Sequence, residues 1–180
     1  MEGHLVNGKQ QRPLNSTAAS LLGFLHEGPM SGWDLVTLAQ DRIGDFWTVT
    51  QSQVYRELAA MNAAGLVVKG ETGARERTPY RITESGRSEF AEWIARDPGP
   101  ETIRFPLLLT LHFGGHLEAA HLASIIDNAR KIHQERLDRY RAEEAIAGMS
   151  AHARATLEFG IGYERAVLDW FDRLPELLGS

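Results

Sequence analysis

Cysteine is absent from this chain of 180 residues, which excludes a disulfide framework, a thiolate zinc site and a cysteine nucleophile. A reducing compartment fits that absence. Long apolar runs are missing as well, and no stretch approaches the roughly 20 apolar residues of a membrane span. The first residues, Met1 to Pro13, are polar apart from Leu5 and Val6 and lack the apolar core of a signal peptide. We therefore expect a cytoplasmic protein with no membrane partner and a flexible N-terminal tail over residues 1–15. An excess of positive charge is lacking too. The formal net charge of −5 argues against indiscriminate coating of nucleic acid, which depends on surplus Lys and Arg. Signatures of catalysis are also missing. The chain has no nucleophile elbow, no phosphate-cradling Gly-rich loop and no carboxylate pair set near a histidine, so neither an enzyme nor a bound cofactor is expected.

What is present suits a packed protein, with 43% hydrophobic and 24% charged residues. The charge is uneven: residues 50–87 sum to +2 and the remainder to −7. The N-terminal half reads as a series of helices. Ala18, Leu21, Leu22 and Leu25 recur at helical spacing after Asn15, Ser16 and Thr17, any of which can cap, and Gly28-Pro29 stops the run. Ser31, with Asp34 three residues on, opens a second helix reaching about Ala39 or Asp41. Thr50 and Gln53 repeat the capping-box spacing before a third, whose inward face reads Val54, Leu58 and Met61 and which should end before Gly65. Gln51, Ser52, Tyr55 and Arg56 then point outward from its N-terminal half, the half of a recognition helix that meets base edges and phosphates in the major groove.

After Gly65 the pattern alternates, placing Leu66 and Val68 on one side of a first strand and Tyr80 and Ile82 on one side of a second. The polar stretch from Glu71 to Arg77 between them makes a hairpin with an arginine-bearing tip. Thr83 caps a fourth helix from Glu84 to about Ala95, with Phe90, Trp93 and Ile94 apolar. Three helices, a hairpin and a helix are the order of a winged helix-turn-helix, so the fold class is mainly α with a small β-hairpin wing.

Residues 18–94 carry Leu22-Gly23-Phe24-Leu25, Gly32-Trp33-Asp34-Leu35, Ser52-Gln53-Val54-Tyr55-Arg56-Glu57-Leu58, Gly65-Leu66-Val67 and Tyr80-Arg81-Ile82-Thr83-Glu84-Ser85-Gly86-Arg87. In that order and spacing these stretches resemble the PadR family of transcriptional regulators. The resemblance implies that Tyr55 contacts a DNA phosphate and that the wing lies on a neighbouring groove or backbone. Many members carry Pro where this chain has Arg56, and a basic pair where it has Thr78-Pro79, which leaves Arg75 and Arg77 as the wing cations.

Asp97-Pro98-Gly99-Pro100 marks a boundary, giving a DNA-binding domain over 16–96 and a helical dimerisation domain over 97–180. A dense apolar run around Pro106 is closed by Gly114-Gly115. A helix from about Leu117 to Ala147 follows, with Leu122, Ile125, Ala129 and Ile132 at coiled-coil-like spacing beside Ile126, Leu137 and Tyr140. Gly148 ends it, and Ser150 caps a last helix bearing Leu157, Ile161, Val167, Leu168, Trp170 and Phe171. Arg104-Phe105-Pro106-Leu107-Leu108-Leu109 and these helices resemble the virulence-activator C-terminal domain of the longer PadR subfamily. A second copy of the chain is the simplest cover for such helices, so a homodimer on an inverted-repeat operator in double-stranded DNA is expected, and the family implies repression.

Each sharper reading has a plainer rival. Thr50 and Gln53 are accounted for by capping, with base contact as Gln53's second possibility and phosphate contact as that of Thr50. His112 and His116 stand at i, i+4, but the glycines between them break the helix, and no metal site is expected. The tryptophans at 33, 47, 93 and 170 read as core or interface residues. Because some family members bind flat aromatic effectors at the dimer interface, Trp93, Phe105 and Phe113 are kept as candidates for a small aromatic effector. Gly160 and Gly162 suggest a close helix crossing. The alternative function is a winged-helix adaptor that contacts a protein in place of DNA.

Overall fold

The computed structural model describes residues 13–71, 77–145 and 148–179. The chain divides into two compact units, Met1–Pro100 and Glu101–Ser180. Most of the tail expected over 1–15, and Arg75 at the wing tip, lie outside the described residues.

In the first unit, helix α1 (Ser16–Leu25) begins where Asn15 Oδ1 accepts the Ala18 N–H at 2.8 Å. Helix α2 (Gly32–Ile43) starts with a complete capping box between Ser31 and Asp34, and runs two residues past the expected limit. Helix α3 (Gln51–Ala63) has the second capping box, between Thr50 and Gln53. Val54 and Leu58 are fully buried, each contributing on the order of 2 kcal/mol of apolar transfer energy. They meet Leu21, Leu22 and Leu25 of α1 and Leu35 of α2 in one core.

A three-stranded antiparallel sheet closes this core, with order β1-β3-β2. Strands β2 (Val67–Lys69) and β3 (Pro79–Ile82) form the wing arms, and β1 (Met30–Ser31) pairs with β3 through Met30↔Tyr80 and Ser31↔Pro79. Helix α4 (Glu84–Ile94) follows Thr83, whose hydroxyl caps it by accepting the Gly86 N–H at 3.0 Å. Phe90 and Trp93 pack on the core, whereas Ile94, expected beside them, is exposed.

The inward residue of β2 is Val67, and Val68 is exposed, which corrects the face read from alternation. The cause lies at the end of α3. Gly65 takes φ +74°, its N–H reaches the Asn62 carbonyl, and the Leu66 N–H reaches the Met61 carbonyl at 2.9 Å. This is a Schellman cap, in which the residue after the glycine folds back onto the helix's apolar face. Leu66 is buried as part of that cap, so the strand's own alternation starts one residue later.

In the second unit, α5 (Pro106–His112) takes up the apolar run with Pro106 in its first turn, where the missing N–H costs nothing. A 3-10 turn (Gly114–His116) leads to α6 (Ala119–Glu144), which packs along α7 (Ala151–Leu178). Leu137, Leu157, Ile161, Leu168, Phe171 and Leu174 form the core between them. Ile132, expected on the seam, is 55% exposed. The crossing is close at Gly160, where an added Cβ would lie 2.8 Å from the Tyr140 ring, but Gly162 faces open space. Glu164 is buried in the same interface: its Oε2 lies 2.5 Å from His133 Nδ1, and its Oε1 accepts from Arg136 Nη1 at 2.9 Å. Among the described residues no helix is long and apolar enough to cross a membrane.

Candidate nucleic-acid interface

One face of α3 is committed to the core through Val54, Glu57, Leu58 and Met61, and this fixes what the other face presents. Thr50, Gln51, Ser52, Tyr55 and Arg56 are all exposed, and Gln53 is half-buried. They gather on the first two turns. That end also carries the unpaired backbone N–H groups and the positive end of the helix dipole, both of which favour an anionic partner.

The polar groups there are arranged by one another. The Thr50 N–H and Oγ1–H both donate to Gln53 Oε1, at 2.8 and 3.0 Å, and the Gln53 N–H returns a bond to Thr50 Oγ1 at 3.3 Å. Thr50 Oγ1 also lies 3.2 Å from Ser52 Oγ. The capping role of Thr50 and Gln53 is therefore realised. Arg56 Nη2 lies 3.3 Å from Glu57 Oε1; the Arg56 side chain is 63% exposed and that of Glu57 only 5%. The buried carboxylate anchors one side of a guanidinium that otherwise faces solvent.

Tyr55 is 44% exposed, yet its ring is not loose. It lies against the backbone of Gly32 at the start of α2, where an added Cβ would approach Cε1 to 2.6 Å. Only a residue without a side chain admits the ring at that distance. The hydroxyl is thereby held at the edge of the exposed face.

On the wing, Arg77 is exposed, with its side chain 42% accessible, and is paired. Its Nη1 donates to Asp34 Oδ1 at 3.2 Å, and its guanidinium carbon lies 4.3 Å from the centre of the Trp33 ring. Arg81 stands opposite Val68 on the outward side of the hairpin, and Lys69 lies over the Tyr80 ring, both exposed. These two cations were not singled out from the sequence, although strict alternation about Tyr80 and Ile82 marks Arg81 as outward. Gly32, Trp33 and Asp34 were missed as parts of the surface because capping alone explained Asp34. Trp33 and Trp47, read as core or interface residues, are 50% and 44% exposed in this chain.

Of the three candidate effector residues, Trp93 belongs to the first unit, and Phe105 and Phe113 belong to the second. Trp93 packs on the first core, Phe105 on the second, and Phe113 is exposed beside His112. Phe105 adjoins His133 and Trp170 at ring-centre distances of 5.4 and 5.9 Å.

Two family models match the chain in succession: the transcriptional regulator PadR-like family over residues 21–92, and the virulence activator alpha C-terminal family over residues 103–179. The chain thus carries a PadR-like domain followed by a virulence activator alpha C-terminal domain. It is 29% identical over 180 residues to the probable transcriptional regulator Rv1176c of Mycobacterium tuberculosis, covering 88% of this chain and 95% of the relative. It is 26% identical over 147 residues to the negative transcriptional regulator PadR of Bacillus subtilis, covering 78% and 81%. Among solved structures, the PadR-like regulator BC1756 of Bacillus cereus superposes with a TM-score of 0.79 at 20% identity, over 90% of this chain and 97% of that one. Bacillus subtilis PadR in complex with operator DNA gives 0.75 at 22% identity, over 91% and 99%. The same protein in complex with p-coumaric acid gives 0.72 at 22%, over 92% and 100%. At these identities the structural likeness is one of fold. The PadR-like regulator thus has a winged helix-turn-helix followed by a helical C-terminal unit.

Proposed function

We propose that this PadR-like regulator is a repressor that binds an inverted-repeat operator as a homodimer through α3 and the wing. The observation that carries this reading is the outward face of α3. Tyr55 and Arg56 are exposed on its first two turns, each held in place from behind, by Gly32 and by Glu57. Fixed donors at a helix N-terminus match the phosphate backbone that orients a protein on the duplex. The exposed Gln51 and Ser52, and Gln53 beside them, supply donors for base edges in this reading. Wing contact is proposed for Arg75, which lies outside the described residues. Bacillus subtilis PadR, which shares the fold, has been solved with operator DNA, and its role as a negative transcriptional regulator agrees with repression.

The dimer follows from the need to place two such helices about one DNA turn apart, roughly 34–36 Å. The exposed apolar residues Ile132, Phe159 and Tyr163 of the helical unit are the surface available for pairing. A planar aromatic compound is the proposed releasing ligand, because Phe105 adjoins an aromatic group and the related PadR has been solved with p-coumaric acid.

The test is selection of duplexes from a random library by the full-length protein, followed by titration of the selected duplex between 50 and 200 mM salt. Recovery of an inverted repeat, a steep fall of affinity with salt, and loss of binding in the Tyr55→Ala, Arg56→Ala double variant are expected. Failure to enrich any sequence, or an unchanged affinity in that variant, overturns the reading in favour of a protein-contacting adaptor. Release by p-coumaric acid or a related planar acid tests the ligand.

A further inference from the structure

The backbone pairing that ties the wing to α2 is short. Strand β1 holds β3 only at Met30↔Tyr80 and Ser31↔Pro79. Pro79 has no N–H to donate, so the ladder has no further rung to offer on the side leading to the wing tip. At that point side chains take over. Asp34 divides its carboxylate: Oδ2 accepts the Ser31 hydroxyl at 2.6 Å and the Ser31 N–H at 3.1 Å, while Oδ1 accepts Arg77. Trp33 presents its ring face to the same guanidinium at 4.3 Å. Gly32, immediately before them, carries the Tyr55 ring. Three consecutive residues of α2 therefore touch α3 on one side and the wing arm on the other.

We propose that Trp33 and Asp34 are positioning residues for the wing, holding Arg77 so that the wing arm keeps a set relation to Tyr55 before any nucleic acid arrives. The inference rests on the reading of α3 and the wing as the DNA-contacting surface, and adds to it a role that neither capping nor phosphate contact supplies. Arg77 then acts as the grip on the wing, and its charge is already engaged by an anion and a ring face. A guanidinium suits this place because it can stack on the indole and donate to the carboxylate at once, which an ammonium cannot.

The contact and its consequence are tested separately. In the free full-length protein, the Arg77 Nε–Hε resonance, assigned by its loss in Arg77→Lys, is expected upfield of the other arginines through the Trp33 ring current. It returns to the common position in Trp33→Leu. On the selected duplex, Trp33→Leu and Asp34→Asn are each expected to weaken binding by about two- to five-fold, with the salt slope unchanged because no phosphate contact is removed. Asn retains an acceptor for the Ser31 N–H, so Asp34→Asn spares the start of α2. In an Arg77→Ala background the same two substitutions are expected to change affinity no further, whereas a general loss of structure adds its effect in both backgrounds. Tighter or unchanged binding by Asp34→Asn means that Arg77 is merely withheld from phosphate, and overturns the proposal. An Arg77 resonance at the common position in the wild type overturns the contact itself. If no duplex is enriched by the wild-type protein, the DNA reading fails and the wing's role fails with it. An enriched duplex indifferent to both substitutions sinks the positioning role alone.

Discussion

The ring of Tyr55 rests on the backbone of Gly32, so closely that a methyl group at residue 32 would lie 2.6 Å from Cε1. Position and identity of the tyrosine are thus set from a different helix. Because Tyr55 is 44% exposed, Gly32→Ala can be relieved by the ring swinging outward, and the expected stability loss is about 1 kcal/mol. The selected duplex is expected to bind about tenfold more weakly, the equivalent of one hydrogen bond to a charged group. Thermal denaturation and a binding titration on the same preparation check both numbers, and an unaltered affinity detaches Tyr55 from Gly32.

Gly86 has a different neighbour. A Cβ there would overlap the Leu66 carbonyl oxygen, which already accepts the Thr83 N–H at 3.0 Å and the Thr83 hydroxyl at 3.0 Å. Backbone cannot rotate away as a ring can. Gly86→Ala is therefore expected to cost about 3 kcal/mol or more, at the upper end for overpacking, with a fall in thermal midpoint well beyond that of Gly32→Ala.

Glu164 is 1% exposed and accepts from Arg136 while its other oxygen contacts His133, itself 7% exposed. Glu164→Leu is expected to destabilise the helical unit by about 3 kcal/mol, since it takes this acceptor from the buried His133 and the partly buried Arg136. Adding His133→Phe removes one of those groups and should restore part of the loss. Urea unfolding followed by amide exchange in α6 and α7 distinguishes the two variants; equal losses contradict the account.

The paired glycines of α7 should part company. Gly162 meets nothing within 4 Å, so Gly162→Ala is expected to stabilise the helix by about 1 kcal/mol. Gly160→Ala must push the Tyr140 ring from 2.8 Å, and is expected to lose more to that overpacking than it gains in helix propensity. Denaturation midpoints of opposite sign for the two variants are the expected result.

Asp34 supplies a pH dependence. Its carboxyl is held below the usual carboxylate range, first by the Ser31 hydroxyl, then by the Ser31 N–H and Arg77, with burial opposing them. A carboxyl whose pKa is lower folded than unfolded contributes stability at neutral pH that disappears as pH falls through the folded value. The stability difference between the wild type and Asp34→Asn is thus expected to be constant at neutral pH and to shrink below about pH 4. A difference that persists into stronger acid contradicts this.

The helices of the first unit were legible because their caps are written locally: Asn15, Ser31 with Asp34, Thr50 with Gln53, and Thr83 each announce an end by residue type and spacing. The exposed face of α3 followed from its buried one. Strand β1 was not legible, since two residues carry no period and its partner Tyr80 is distant in the chain. Val67 was placed on the wrong face because the Schellman cap at Gly65 shifts the phase of the strand that follows. Arg77 was read as a free wing cation because nothing in Trp33 or Asp34 signals a partner so far along the sequence. Ile132 was assigned to a seam by spacing, but α7 lies along α6 on the side of Leu137 and leaves it outside.

The pairing of Met30 with Tyr80 also bears on how the protein is made. Helices α1 to α3 can form as their residues leave the ribosome, but the strand at Met30–Ser31 has no partner until the chain has grown another fifty residues to Tyr80. Closing so long a loop is slower than forming the local β2–β3 hairpin, and must await it. During synthesis the start of α2 therefore waits unpaired until the wing arrives, and α4 follows to complete the first unit.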